Sequence, residues 1–204
     1  SLDKIFAVRY DNVIDTVESK VFAVGVESYT VGSNEFYMSY AASHPGVYNL
    51  LDNGHYHPTE VVSDKIPAML VFSDKIALHI TRPIRWDSDH VVILDDELKA
   101  ITTEINRGGF YDRVHIGLDF FDGSINRIAC WAIGARNMQK ALLWAALEPV
   151  AMLQKFEADG DFTSRLAYLE EIKTLPFGAV WDHYCDMQNV PTGDGWIKEM
   201  KKYE

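Results

Sequence analysis

Glu27, Asp52, His79 and Asp119 each close a short apolar run, and three carboxylates with one imidazole are a natural cage for Mn²⁺, Mg²⁺ or Zn²⁺. Three acids drawn together without a cation would raise one another's pKa, so a shared ion is the simpler arrangement. A second group of possible ligands follows two of those runs. Asp52-Asn53-Gly54-His55-Tyr56-His57 places two histidines just past one of them, and Arg82-Pro83-Ile84-Arg85-Trp86-Asp87-Ser88-Asp89-His90 follows the next. Alternate residues of an extended segment point the same way, so Asp87 and Asp89 can grip one ion. With His55 they make three ligands, which leaves positions for water and substrate oxygens, as a catalytic metal requires. His57 could orient His55. The plain alternative is that acids at strand ends cap the helix that follows. One such acid would carry little weight; four at one register argue for a site. Other chemistries fit badly: the chain has no GxSxG, no glycine-rich phosphate loop and no GxGxxG. His90 and His115 read as packing or surface residues, Cys130 as core, and Trp131, Trp144, Phe156 and Tyr168 as packing at helical intervals.

The elements that must position these residues repeat one theme. Lys20 to Glu27, Val47 to Asp52, Lys75 to His79 and Val114 to Asp119 are mostly apolar rather than alternating, which suits parallel strands buried on both faces. Their ends are spaced 52 − 27 = 25, 79 − 52 = 27 and 119 − 79 = 40 residues apart. A βαβ unit takes about 30 residues, so strands and helices should alternate. Four parallel strands in one sheet would bring all four strand-end residues to one carboxyl edge, where α/β folds build their sites. Helices are expected after Gly32-Ser33-Asn34, over Glu60 to Leu70 with Pro58 in the first turn and Pro67 disturbing the last, and from Asp95-Asp96 to Gly108-Gly109. From about Ile125 to Glu204 only helices are expected. The fold class is therefore α/β, with βα units over residues 1–124 and a helical extension over 125–204. Four βα units are half of a closed eight-stranded barrel, and residues 1–19 are too few to supply the rest. The sheet is either open or part of a larger barrel.

Composition sets the outer limits. The chain has 204 residues, 48% hydrophobic and 24% charged, as an ordered globular domain does. Its net charge of −11 argues against a nucleic-acid backbone or an anionic membrane as partner, and fits carboxylates partly neutralised by bound cations. Two cysteines, Cys130 and Cys185, make no disulfide framework and point to a reducing cytoplasm. Neither a basic-plus-apolar leader nor an apolar run near 18 residues is found, so no signal peptide or membrane span is expected.

Several stretches resemble L-rhamnose isomerases: Gly25-Val26-Glu27-Ser28-Tyr29-Thr30-Val31-Gly32-Ser33, Leu51 to Glu60, Arg82 to Val92, and His115-Ile116-Gly117-Leu118-Asp119-Phe120-Phe121-Asp122, continuing through Ser124 to Ile128 and the helical tail. The likeness covers nearly the whole chain and is to the second half of those enzymes. It implies strands five to eight of a (β/α)₈ TIM barrel followed by added helices, and interconversion of L-rhamnose and L-rhamnulose. It implies Mn²⁺ at a catalytic site of His55, Asp87 and Asp89. It also implies a structural ion (Mn²⁺, Zn²⁺, Mg²⁺ or Co²⁺) at Glu27, Asp52, His79 and Asp119. Trp86 and His57 become candidate sugar contacts, and the partners implied are the N-terminal half of the barrel and further copies of the chain, a tetramer in the family. The implied mechanism is a metal-assisted hydride shift between C2 and C1. A carboxylate base working through an enediol is the competing route, but Asp52 and Asp119, its candidates, look committed to metal. A different metal-dependent sugar isomerase or epimerase, or a non-catalytic metal-binding module, is the alternative reading.

Overall fold

A computed structural model of the chain describes residues 1–20, 32–84 and 89–204. After a short helix α1 (Leu2–Ile5), four strands form one parallel sheet: β1 (Asp15–Glu18), β2 (Val47–Asp52), β3 (Ile76–Ile80) and β6 (Val114–Leu118), in the order β1-β2-β3-β6. Between them run α2 (Asn34–Ser43), α3 (Val62–Phe72) and α4 (Asp96–Gly108), with a two-stranded antiparallel ribbon of β4 (Arg82–Pro83) and β5 (Asp89–His90) after β3. Then follow α5 (Arg127–Ala146), α6 (Val150–Ala158), α7 (Phe162–Glu171), α8 (Phe177–Met187) and α9 (Gly195–Met200). This is the α/β architecture the sequence suggests, a parallel four-stranded sheet consistent with part of a TIM barrel, then helices. No helix among the described residues is long and apolar enough to cross a membrane.

Local chemistry explains the element boundaries. Asp95 caps α4 by accepting from the Leu98 N–H (2.9 Å), Asp96 and Glu97 face the positive end of the helix dipole, and Gly109 stops it in the left-handed region at φ 64°. The N-cap of α3 is Val61, whose apolar side chain cannot cap it. Glu97 reaches across from α4 instead and accepts from the Val62 N–H (2.9 Å) and the Ser63 N–H (3.3 Å). Pro58 lies ahead of α3 rather than in its first turn, and the helix runs through Pro67 to Phe72. Arg113 secures its far end by donating to the Leu70 and Ser73 carbonyls (2.6 and 2.8 Å).

The core lies between one face of the sheet and α3, α4 and α5. Leu51, Ile76, Leu78 and Ile80 from the strands meet Ile66, Leu98, Ile101, Ile105, Met138 and Ala141 from the helices. α5 lies close to α4 through small residues: Thr102 donates to the Ala141 carbonyl (3.0 Å) and Asn106 to that of Ala145 (2.8 Å).

One expected strand falls almost wholly outside the described residues, and two expectations need correction. The first strand is Asp15–Glu18; of the expected run Lys20 to Glu27, all but Lys20 lies outside the described residues. Burial on both faces does not hold along every strand: in β3, Ile76, Leu78 and Ile80 are buried against the helices, while Ala77 and His79, on the other face, are half-exposed. Trp131 is 55% exposed, with the Arg127 guanidinium over its ring, and Tyr168 is 45% exposed although it stacks on Phe156.

Candidate metal centre

The parallel register decides which side chains share the face turned away from the helices. Paired residues lie on the same face, so Asp52↔His79 and His79↔Gly117 form one row. Asp119, two residues beyond Gly117, keeps the same parity, and Glu18 lies beside Leu50 in the row below. Gly117 gives the His79 ring its room: a Cβ at Gly117 would stand 3.3 Å from the ring's Cδ2. Behind Asp119, the Phe120 ring sits over Gly134 of α5, where any Cβ would meet its Cζ at 2.3 Å. That contact ties the end of β6 to the helix layer.

The turn after β2 is equally constrained. The Asp52 carboxylate accepts from the Gly54 N–H (2.7 Å), and the His55 N–H bonds the Asp52 carbonyl (3.1 Å), which brings Asp52 Oδ2 and His55 Nε2 to 3.8 Å. A Cβ at Gly54 would meet Thr81 Cγ2 at 3.0 Å, Asp52 Oδ1 at 3.1 Å and Asp89 Oδ1 at 3.3 Å, so three segments converge on this glycine.

Ligand-type atoms gather around Asp52. His79 Nδ1 lies 3.3 Å from Glu18 Oε1, 3.2 Å from Asp119 Oδ2 and 3.8 Å from Asp52 Oδ2. Glu18, Asp52 and His55 offer atoms all within 4.8 Å of one another, as do Asp52, His79 and Asp119. Asp52 Oδ2 is buried and accepts no hydrogen bond from the described residues. His55 donates from Nδ1 to the Ser19 carbonyl (2.7 Å), which leaves the Nε2 lone pair to face a cation, here the Lys20 ammonium at 2.8 Å. A buried, unbonded carboxylate oxygen and an imidazole lone pair already turned toward positive charge are what a divalent ion would satisfy, so these residues fit one.

The electrostatics agree. Burial pushes the Asp52 carboxyl up to about 6, outweighing His55 and the Gly54 N–H, with Asp89 and Glu18 adding to the rise. Burial also lifts Glu18, but the hydrogen bond from His79 and the charges of His55, His79 and Lys20 outweigh it and hold the carboxyl below its ordinary value. The hydrogen bond to Glu18 raises His79 against its partial burial, and Glu18, Asp119 and Asp52 raise it further.

The sequence-predicted residues are distributed as follows. Asp52, His79 and Asp119 come together. His55 joins Asp52 and Glu18. Asp89 enters neither close set among the described residues, though its carboxylate approaches the same turn at Gly54 and its charge acts on Asp52. Glu27, Trp86 and Asp87 lie outside the described residues. His57 is exposed, takes a hydrogen bond from the Thr59 N–H (3.2 Å) and lines a cleft of about 260 Å³ that includes none of Glu18, Asp52, His55, His79 or Asp119. His115 is exposed and Cys130 buried. Sequence reasoning missed Glu18 and Lys20. The available signal was Glu18-Ser19-Lys20 itself, an acid at the end of a strand followed by a cation two residues on.

Comparison with known proteins bears on all of this at once. The family model described as L-rhamnose isomerase (RhaA) matches residues 1–204. The chain is 57% identical over 206 residues to an L-rhamnose isomerase of Salmonella paratyphi B (strain ATCC BAA-1250 / SPB7) and 58% identical over 206 residues to one of Escherichia coli (strain SE11), in each case covering 100% of this chain and 49% of the relative. The chain thus spans about half the length of the curated relatives it matches, their C-terminal half. With a family match over its whole length, the chain belongs to the L-rhamnose isomerase family.

Proposed function

We propose that this chain supplies the metal-binding part of an aldose–ketose isomerase that interconverts L-rhamnose and L-rhamnulose. The observation that carries the reading is the convergence of Glu18, His55, His79 and Asp119 on Asp52, whose buried Oδ2 accepts no hydrogen bond from the described residues, in a chain of this family. Asp52, His79 and Asp119, with Glu18 as the carboxylate the structure places beside them, would hold a structural ion. His55 with Asp87 and Asp89 would hold a catalytic one. Mn²⁺ is the ion proposed. The chemistry a bound divalent cation supplies is polarisation of a sugar carbonyl and of a water molecule. The reaction needs no outside oxidant: a hydrogen moves from C2 to C1 and a proton from O2 to O1. Ser19 keeps His55 in the tautomer whose Nε2 accepts, and Lys20, a donor only, would turn from that Nε2 to a sugar oxygen once an ion is bound. Trp86 and His57 are the proposed sugar contacts.

The proposal extends to the whole assembly. Residues 1–124 form the βα part and 125–204 the helical extension. The other half of the relatives' length would pair with the outer strands β1 and β6, further copies of the chain would complete the oligomer, and the setting would be cytoplasmic. The test is a full-length protein carrying this sequence as its C-terminal half, assayed for ketose formation from L-rhamnose with and without His55→Ala and Asp87→Ala together. Background turnover in the double variant is expected; full turnover would refute the assignment. Faster turnover of xylose than of L-rhamnose would move it to another aldose isomerase.

A further inference from the structure

We infer that Asn53 is a positioning residue: its side-chain amide locks the turn that carries Asp52 and His55 to the ribbon that carries Asp89. The inference rests on the metal-centre reading above, whose ligands come from two separate strand ends. Something must set the distance between them.

The parallel ladder between β2 and β3 makes its last main-chain bond from the Asn53 N–H to the His79 carbonyl (3.2 Å), and the chain then turns away at Gly54. The Asn53 side chain continues the ladder where the backbone cannot. Its Nδ2 donates to the Thr81 carbonyl (3.0 Å), and its Oδ1 accepts from the Thr81 N–H (2.8 Å). A primary amide offers the same donor and acceptor as a peptide group, so it can serve both ends of Thr81 at once. Thr81 is 3% exposed, and its N–H and carbonyl would be costly to leave without partners.

Thr81 in turn governs Asp89. It immediately precedes β4, which pairs Arg82↔His90 and Pro83↔Asp89, and its hydroxyl donates to the His90 carbonyl (3.3 Å). Its methyl group and an Asp89 carboxylate oxygen both abut Gly54. A path of direct contacts therefore leads from the residue beside Asp52 to Asp89. Few side chains could replace the amide. Asp would set an oxygen against the Thr81 carbonyl, Ser and Ala would lose one or both bonds, and Gln is a methylene too long.

The experiment uses the full chain, Mn²⁺ as the probe, and three variants. Asn53→Leu keeps the shape and removes the amide, Asn53→Ala removes both, and Asn106→Ala deletes a comparable amide-to-carbonyl bond between α4 and α5, far from the ligands. Hydrogen exchange of the metal-free protein should quicken at Thr81, Asp89 and His90 in both Asn53 variants and stay unchanged there in Asn106→Ala. Electron paramagnetic resonance titration should show Mn²⁺ binding weakened about tenfold in the Asn53 variants, with an altered signal from the bound ion, and wild-type affinity in Asn106→Ala. Unchanged exchange at Thr81, or equal Mn²⁺ affinity in wild type and both Asn53 variants, overturns the inference. A wild-type chain that takes up no Mn²⁺ overturns the metal-centre reading and, with it, the purpose assigned to Asn53. If Asn53→Ala fails to fold, Asn53→Leu decides alone.

Discussion

β3 has two unlike faces. Ile76, Leu78 and Ile80 point toward the helices and are at most 1% exposed, whereas Ala77 and His79 point the other way and are half-exposed. The same five residues thus serve two ends. One face gains its stability from apolar burial at roughly 25 cal/mol per Å². The other gathers Glu18, His79 and Asp119 around Asp52, a carboxylate whose burial is costly in its charged form and which a bound cation would relieve. Stability is spent where the ligands stand and gained a peptide's width away.

Substitutions can break this division, and the largest effect is expected on the helix face. Ile101→Ala, in α4 at 0% exposure, should lower stability by about 2–5 kcal/mol by chemical denaturation, while the folded fraction keeps its Mn²⁺ affinity. Equal damage to metal affinity would show that the faces are not separable. On the ligand face, Asp52→Asn should weaken Mn²⁺ about 100-fold by titration, yet leave the metal-free fold intact, since a neutral amide is easier to bury than a carboxylate.

The pH response sharpens the contrast. Asp52 holds its proton more tightly folded (about 6) than unfolded (ordinary value 3.8), so its stabilising contribution is full below the unfolded value and is lost as pH rises through about 6. His79 is raised too, so its contribution is present below 6.5 and fades as pH climbs through the higher folded value. Glu18, lowered, acts oppositely: its contribution is present above 4.5 and is lost as pH falls through the depressed value. Between pH 5 and 7.5 the metal-free protein should therefore lose on the order of 1 kcal/mol relative to Asp52→Asn, read from paired denaturation midpoints. A parallel pH course in the two proteins would contradict this. Saturating Mn²⁺ should reverse the trend, because the ion binds the deprotonated ligands. The smallest effect is expected at Phe121, which is 78% exposed: Phe121→Ser should stay within about 0.5 kcal/mol of wild type.

How much could be read in advance differs by element, for physical reasons. α4 was legible because its signals coincide: an acidic cap, an apolar stripe at Leu98, Ile101 and Ile105, and a terminal glycine. β2, β3 and β6 were legible as apolar runs. β1 was not, since Asp15-Thr16-Val17-Glu18 has one buried residue and a single aliphatic side chain, too little to mark a strand by pattern. Glu18 and Lys20 were lost with that strand. The orientation of α5 was equally hidden. Apolar residues occupy more than one of its faces, and the one it buries carries mostly small residues, Gly134, Ala141 and Ala145 beside Met138, so Trp131 could be placed on either side by periodicity alone. That Asp52, His79 and Asp119 come together was legible because strand ends in a parallel sheet share an edge, an inference that needs only spacing.

The strict alternation along β3 also behaves like a two-letter frame. Losing one residue from the link between α3 and β3, if the pairing slid to compensate, would send His79 into the apolar layer and bring Leu78 or Ile80 among the carboxylates, an error no neighbouring substitution could repair. Losing two residues would restore the alternation and merely shorten the reach of the loop. In this stretch, tolerance to length change should follow odd and even, so that a deletion scan would recover the sheet's phase without any structure at all.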